Sequence, residues 1–156
     1  MVELQQAVAM LPEFDAIREH PAILEMLRRL FGTDVETKCG DVLRAVAPGE
    51  PATPPHQDQF FMKDARRVWT VWIPLSDCPL RLGPLAVLAG SHRDGIRSHV
   101  SNQVADSYLS LWWSTASMAQ GDVLAFDGCT IHRACPNLTR DRTRFSVDFR
   151  YASVTR

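Results

Sequence analysis

The sequence lacks an excess of charge, a paired cysteine motif and a long apolar run. Its 17 basic and 18 acidic residues leave a formal net charge of −1, which argues against nucleic acid as a partner. No apolar stretch is long enough for a signal peptide or a membrane span, so we expect a cytoplasmic protein without a membrane partner. The four cysteines show no CxxC spacing, which favours buried free thiols over a zinc knuckle or a thioredoxin-type site.

The chain does contain enough apolar sequence for one core. Its 156 residues with 46% hydrophobic content predict a single domain over residues 1–156. Apolar residues at helical spacing predict two N-terminal helices, the first ended by Pro12 and the second spanning residues 21–31. Pro21 suits the first turn of the second helix and Gly32 suits its end. We expect these helices to pack on a sheet.

From Asp41 onward, the pattern changes to short β-like runs separated by proline and glycine. The runs cover residues 41–47, 67–75, 84–88, 122–126 and 143–151. No long helical pattern lies between them, which excludes a doubly wound α/β fold. The pattern predicts a mainly β protein, an antiparallel sandwich or jelly roll with helices packed outside.

The connection over residues 93–120 is long and mixes polar residues with the aromatic residues Tyr108, Trp112 and Trp113. A long irregular segment inside a compact domain is usually functional, which indicates a lid or a binding loop. The alternative is a surface excursion whose aromatic side chains cover the core.

One short stretch, Thr53-Pro-Pro-His-Gln-Asp58, offers an imidazole and a carboxylate two residues apart. On a strand, positions i and i+2 face the same way, so His56 and Asp58 can converge while Gln57 points elsewhere. Such a pair is half of a 2-His-1-carboxylate site for iron(II). A His-x-acid pattern is common by chance, so the assignment depends on later residues. His92 is a competing metal candidate, but its glycine turn favours a hydrogen-bonded loop anchor.

Polar and apolar side chains alternate on the last predicted strand. The polar set is Arg144, Ser146, Asp148 and Arg150, and the apolar set is Phe145, Val147, Phe149 and Tyr151. A polar face opposite an aromatic face implies that one side lines a wet cavity. Arg144 offers a planar fork for a carboxylate, and the Ser146 hydroxyl adds a donor on the same side.

Taken together, these stretches strongly resemble the phytanoyl-CoA dioxygenase family over about residues 21–152. The matching stretches are His56-Gln-Asp58, Trp72-Ile-Pro-Leu75, Gly83-Pro-Leu-Ala-Val-Leu-Ala-Gly-Ser-His92, Gly121-Asp-Val-Leu-Ala-Phe-Asp127, Thr130-Ile-His-Arg-Ala134, Pro136-Asn137 and Arg144-Phe-Ser-Val-Asp148. That family comprises iron(II)- and 2-oxoglutarate-dependent oxygenases built on a double-stranded β-helix, a cupin-like jelly roll. The chain is short for the family at its N-terminus, and the strand edge this exposes is compatible with a homodimer.

The resemblance also implies which residues hold the cofactors. His56, Asp58 and His132 resemble the iron ligands and thus the catalytic residues. Arg144 resembles the arginine that binds the distal carboxylate of 2-oxoglutarate, with Ser146 as a helper. Trp72 resembles the family tryptophan beside the co-substrate.

We also expect the site to bind a small-molecule substrate, with contacts from Gln57, Trp112 and Trp113. The implied reaction is hydroxylation of a C–H bond with 2-oxoglutarate and O2 as co-substrates, releasing succinate and CO2. Two alternatives stay open. One is a jelly-roll metalloenzyme of another reaction type, since an open three-ligand site also suits zinc. The other is a binding or regulatory module without turnover.

Overall fold

A computed structural model describes residues 7–8, 10–62, 66–104, 108 and 111–154, except for the side chain of Cys39. Residues 105–107 and 109–110 of the predicted lid, and the thiol predicted at Cys39, therefore lie outside the described residues. Within them, Cys78, Cys129 and Cys135 are free thiols, as predicted. No described helix is long and apolar enough to cross a bilayer.

Among the described residues, two complete helices lie before the first strand, α1 (Pro12–Arg18) and α2 (Pro21–Phe31). Residues 7–8, in the predicted first helix, are also helical, and the rest of that helix before Met10 lies outside the described residues. The bounds of α2 match the prediction: His20 caps its N-terminus, Pro21 is its first residue, and Gly32 ends it in a left-handed conformation with φ 69°. Pro12 also begins a helix, which the sequence pattern did not predict. A proline fits there because the first turn of a helix does not use its backbone N–H groups.

The β structure forms a main four-stranded sheet, a smaller sheet of two strands and a separate two-stranded hairpin. The strands are β1 (Val35–Val46), β2 (Val68–Pro74), β3 (Leu85–Val87), β4 (His99–Val100), β5 (Gln103–Val104), β6 (Leu124–Asp127), β7 (His132–Ala134) and β8 (Arg144–Ser153). The main sheet is antiparallel with the order β1-β8-β2-β6. The smaller sheet pairs β3 with β7 and is widened by single bridges from His56 and Ser114.

The main sheet has one apolar face and one polar face. Helices α1 and α2 cover the apolar face, where Phe14 and Leu27 pack against Val71, Val147 and Phe149. The opposite face carries buried polar side chains toward the smaller sheet. On the last strand, Val147, Phe149 and Tyr151 lie in the core under the helices, and the polar set is buried on the opposite face. The predicted separation of an apolar from a polar face therefore holds except at Phe145, which is 40% exposed. The jelly-roll prediction is confirmed, whereas the single-domain organisation and the homodimer stay predictions.

Candidate metal centre

Three buried side chains converge between the two sheets: His56, Asp58 and His132. Their potential ligand atoms all lie within 4.8 Å of one another. The Nε2 atoms of His56 and His132 are each 3.7 Å from Oδ1 of Asp58. Within the described part of the chain, these three form the one group of histidine, cysteine and acidic residues suited to a metal, and His92 is not in it.

A β-bridge and a short helix bring the three residues together, whereas the spacing of His56 and Asp58 predicted a single strand. His56 and His132 form an antiparallel bridge in which each backbone N–H donates to the carbonyl of the other at 3.0 Å. Gln57 is extended, but Asp58 begins a short helix, α3 (Asp58–Phe61). The prediction that His56 and Asp58 share a strand face is therefore wrong at Asp58. A helical turn, rather than strand alternation, points its carboxylate at the histidines.

Both histidines present the same ring nitrogen to the centre. Nδ1 of His56 lies 2.8 Å from the Pro54 carbonyl, and Nδ1 of His132 lies 3.0 Å from the Thr130 carbonyl. A carbonyl only accepts, so each Nδ1 carries the proton and each Nε2 keeps its lone pair. Burial lowers the pKa of His56 to about 4 and also lowers the pKa of His132. Both rings are thus neutral at pH 7, which is the form that binds a metal.

The two oxygens of the Asp58 carboxylate have different surroundings. Oδ1 faces the histidines, whereas Oδ2 accepts hydrogen bonds from Thr70 Oγ1 at 2.6 Å, Arg150 Nη2 at 3.0 Å and Arg150 Nε at 3.3 Å. The pKa of Asp58 lies below its usual range: burial raises it, whereas the Arg150 guanidinium and the hydrogen bond from Thr70 lower it. The carboxylate is therefore ionised and leaves one oxygen for a metal.

Arg150 is held as firmly as the carboxylate it contacts. Its Nη1 donates to the carbonyl of Gly40 at 2.6 Å and to that of Asp148 at 3.3 Å. Gly40 lies where β1 shifts register against β8, between Lys38 and Val42, and it has φ 105°. This bulge turns a carbonyl of β1 toward Arg150. The sequence placed Arg150 on the polar face but gave no indication of this contact.

The residues predicted to hold a co-substrate carboxylate share the inner face of the main sheet, and several of their donors are unpaired. Trp72, Arg144 and Ser146 are fully or almost fully buried. Within the described residues, no partner is found for Trp72 Nε1, for Arg144 Nε and Nη2, or for Ser146 Oγ. The Nη1 group of Arg144 donates to the Gly83 carbonyl, and burial lowers the pKa of this guanidinium. Unpaired buried donors are rare in folded proteins, and this set fits an anionic oxygen ligand.

A cavity of about 490 Å³ opens onto the metal centre. Its apolar wall contains Val42, Pro54, Phe61 and Met62, and its polar wall contains Arg44, Ser101 and Asn102. Ser101 and Asn102 form the tip of the β4–β5 hairpin. Part of the predicted lid therefore does lie over the site.

The three residues predicted to contact a substrate do not line this cavity. The Gln57 amide is fully used, because Nε2 donates to the carbonyls of Gly95 at 2.8 Å and Cys129 at 2.5 Å while Oε1 accepts from the Arg97 N–H at 2.7 Å. Gln57 thus fastens the lid loop. Trp112 is 95% exposed, and Trp113 packs under the Arg133 guanidinium; neither tryptophan lines the cavity.

Comparison with known proteins agrees with this geometry. The family model described as phytanoyl-CoA dioxygenase (PhyH) matches residues 5–146, and the chain belongs to this family, as predicted. The chain is 30% identical over 162 residues to 1-deoxypentalenic acid 11-beta-hydroxylase of Streptomyces arenae, a match that covers 88% of this chain and 56% of that protein. It therefore spans about half the length of this curated relative.

Many solved structures share the fold, and two examples are similar to this chain over most of its length. One is the epimerase SnoN in complex with Fe3+, alpha ketoglutarate and nogalamycin RO, with a TM-score of 0.80 and 21% identity over 97% of this chain and 62% of that chain. The other is the non-heme alpha ketoglutarate dependent carbocyclase SnoK, with a TM-score of 0.78 and 22% identity over 91% of this chain and 60% of that chain.

Proposed function

We propose that this protein is an iron(II)- and 2-oxoglutarate-dependent dioxygenase that hydroxylates a C–H bond of a small organic substrate. The observation that carries the proposal is the buried His56–Asp58–His132 group together with the unpaired donors of Arg144 and Ser146. A triad alone suits several divalent metals. The unpaired donors add a place for a carboxylate, which favours a 2-oxo acid co-substrate over the two alternative functions.

The donor set fits iron(II). Two neutral imidazoles and one carboxylate on one side leave coordination positions open, as in non-heme iron oxygenases. When bound, iron and 2-oxoglutarate supply the oxidation, in which one atom of O2 enters the substrate and the other enters succinate as CO2 leaves. All other contributions come from the polypeptide.

The chain's own residues orient the reactants. The carbonyls of Pro54 and Thr130 fix the two imidazoles through their Nδ1 protons, and Thr70 and Arg150 fix the Asp58 carboxylate. We assign Arg144 and Ser146 to the distal carboxylate of 2-oxoglutarate, with Trp72 alongside it. The apolar wall of the cavity limits the access of water to the reacting centre.

Hydroxylation is the outcome best supported for this chain. The curated relative is named a hydroxylase, whereas the two structural neighbours are named an epimerase and a carbocyclase, so the fold alone does not decide the outcome. Asp58 occupies the place at which a small residue would admit a halide to the metal. This argues for hydroxylation over halogenation.

Isotope labelling tests the reaction without a known substrate. The protein is incubated with iron(II), 2-oxoglutarate and ¹⁸O2, and succinate is analysed by mass spectrometry. Slow uncoupled turnover should place one ¹⁸O atom in succinate, and Asp58→Ala should abolish the signal. A binding module would bind 2-oxoglutarate without forming succinate, and a metalloenzyme of another type would bind the metal alone. Either result would contradict the proposal.

A further inference from the structure

The interior around the metal centre contains more positive than negative side chains. Over the cavity lining and the inner face of β8, the described charged residues are Arg44, Arg144, Arg150, Asp58 and Asp148. Both acidic residues are paired, Asp58 with Arg150 and Asp148 with Arg44. On the proposed function, a divalent metal and the doubly negative 2-oxoglutarate cancel each other. The site as a whole then carries one positive charge in excess, which an anionic ligand would neutralise.

The hydrogen bonds show which cation has donors left for a ligand. Arg150 is used by Asp58, the Gly40 carbonyl and the Asp148 carbonyl. Arg144 is assigned to the co-substrate. Arg44 donates to Asp148 Oδ2 only through Nε, at 3.1 Å, and its side chain is 31% exposed on the cavity wall. No described residue accepts a hydrogen bond from its two Nη groups.

The surroundings of Arg44 determine what kind of molecule would bind there. The wall beside it is apolar at Val42, Pro54, Phe61 and Met62. We infer that the substrate is an organic monoanion, most simply a carboxylate, whose anionic group binds the Nη atoms of Arg44 while its apolar body lies against this wall. A guanidinium fork matches the two oxygens of a carboxylate. The inference rests on the proposed function, because the metal and 2-oxoglutarate enter the charge count.

A matched pair of probes tests the inference in the absence of turnover. The protein is loaded with zinc, which is redox-inactive, and titrated first with 2-oxoglutarate. Adamantane-1-carboxylate and its neutral isostere adamantane-1-carboxamide are then titrated by calorimetry. We expect the carboxylate to bind about tenfold more tightly than the carboxamide, since hydrogen bonds to charged groups are stronger than neutral ones.

The variants are chosen so that a loss of stability cannot account for a change in probe binding. Arg44→Gln alone leaves Asp148 buried without its partner, so Arg44→Gln is combined with Asp148→Asn. The double variant should lose the preference for the carboxylate while keeping its affinity for the carboxamide and for 2-oxoglutarate. Arg29→Gln, at an arginine whose side chain is 80% exposed on α2, is the control for loss of one positive charge and should keep the preference.

Each contrary outcome has a distinct meaning. Equal binding of both probes to the unmodified protein would overturn the inference, as would a preference that survives in the double variant. Loss of 2-oxoglutarate affinity in the double variant would move Arg44 to the co-substrate and also overturn it. Failure of the zinc-loaded protein to bind 2-oxoglutarate at all would instead contradict the proposed function, and with it the charge count.

Discussion

The inner face of β8 has two halves that differ in how far their hydrogen bonds are satisfied. At Arg150, the guanidinium donates to Asp58, to the Gly40 carbonyl and to the Asp148 carbonyl. At Arg144, six residues earlier, only Nη1 has a partner among the described residues. Both arginines are buried and share one face of the same strand.

The difference between the two halves indicates two kinds of site. A buried donor without a partner costs roughly 1–3 kcal/mol, so the Arg144 half is stable only if folding elsewhere outweighs that cost. Such a cost is expected where a ligand completes the hydrogen bonds. The Arg150 half needs no ligand for its own groups, and it holds Asp58 in position before a metal binds. We therefore propose that the Arg150 half positions the metal and that the Arg144 half binds the co-substrate.

Removing a metal ligand should have the largest effect. His132→Ala deletes one of three donors, so iron binding and all iron-dependent activity should fall below detection. Metal analysis after dialysis, together with succinate formation, provides the measurement. Full iron occupancy with normal turnover in this variant would show that the triad assignment is wrong.

Arg144→Ala should act on the co-substrate half alone. Losing one partner of a buried, hydrogen-bonded charge pair typically costs about 3–5 kcal/mol, so 2-oxoglutarate affinity should drop severely. Metal affinity should stay nearly unchanged, because the described contacts of Arg144 do not reach the triad. Calorimetry with metal and then with 2-oxoglutarate measures both. Unchanged co-substrate affinity would separate Arg144 from the binding site.

Arg150→Gln should weaken metal binding rather than 2-oxoglutarate binding, and its effect should be smaller than that of Arg144→Ala. Groups that orient a metal ligand typically contribute 10–100-fold in metal affinity. We therefore expect cobalt(II) to bind about 10–100-fold more weakly and its visible absorption to shift, since Asp58 is no longer held through Oδ2. Arg144→Gln, the same substitution on the same strand face, is the matched control and should leave both readings unaltered. If the two variants weaken cobalt binding equally, the proposed division between the halves is wrong.

The smallest expected effect concerns pH. An ordinary histidine ligand is protonated below pH 6.5 and then competes with the metal, but the pKa of His56 is lowered to about 4. A lowered pKa keeps the imidazole neutral until the pH approaches that value, so zinc affinity should be almost constant between about pH 7.5 and 5.5. Calorimetry across this range checks it. A steep loss of zinc affinity centred near pH 6.5 would mean that burial does not lower the pKa of His56.

The sequence predicted the elements whose pattern is local. Helix α2 has a proline, an apolar stripe and a glycine in order, and the alternation on β8 separates an inner from an outer face. The first half of β1 was missed because Gly40 and the bulge beside it interrupt the alternation before Asp41. His56 and Asp58 were singled out by their spacing and His132 by the family resemblance, and the structure brings the three together.

Contacts between distant segments were beyond the reach of the sequence. Arg150 and Asp58 are 92 positions apart, and no spacing rule connects them. Gln57 was assigned to a substrate because it lies between two site residues, whereas its amide is directed to Gly95, Arg97 and Cys129. Trp112 was assigned because it is aromatic and lies in a lid segment, but residue type does not reveal which side of a loop faces the cavity.

Anaerobic titration of the iron(II)-loaded protein with 2-oxoglutarate tests whether the metal half and the co-substrate half form one site. Chelation of iron(II) by a 2-oxo acid produces a visible charge-transfer band, which reports both halves of the site at once. The band should develop in the unmodified protein, require far more 2-oxoglutarate in Arg144→Ala, and be missing in His132→Ala. An unmodified protein that holds iron(II) but develops no band at saturating 2-oxoglutarate would contradict the account.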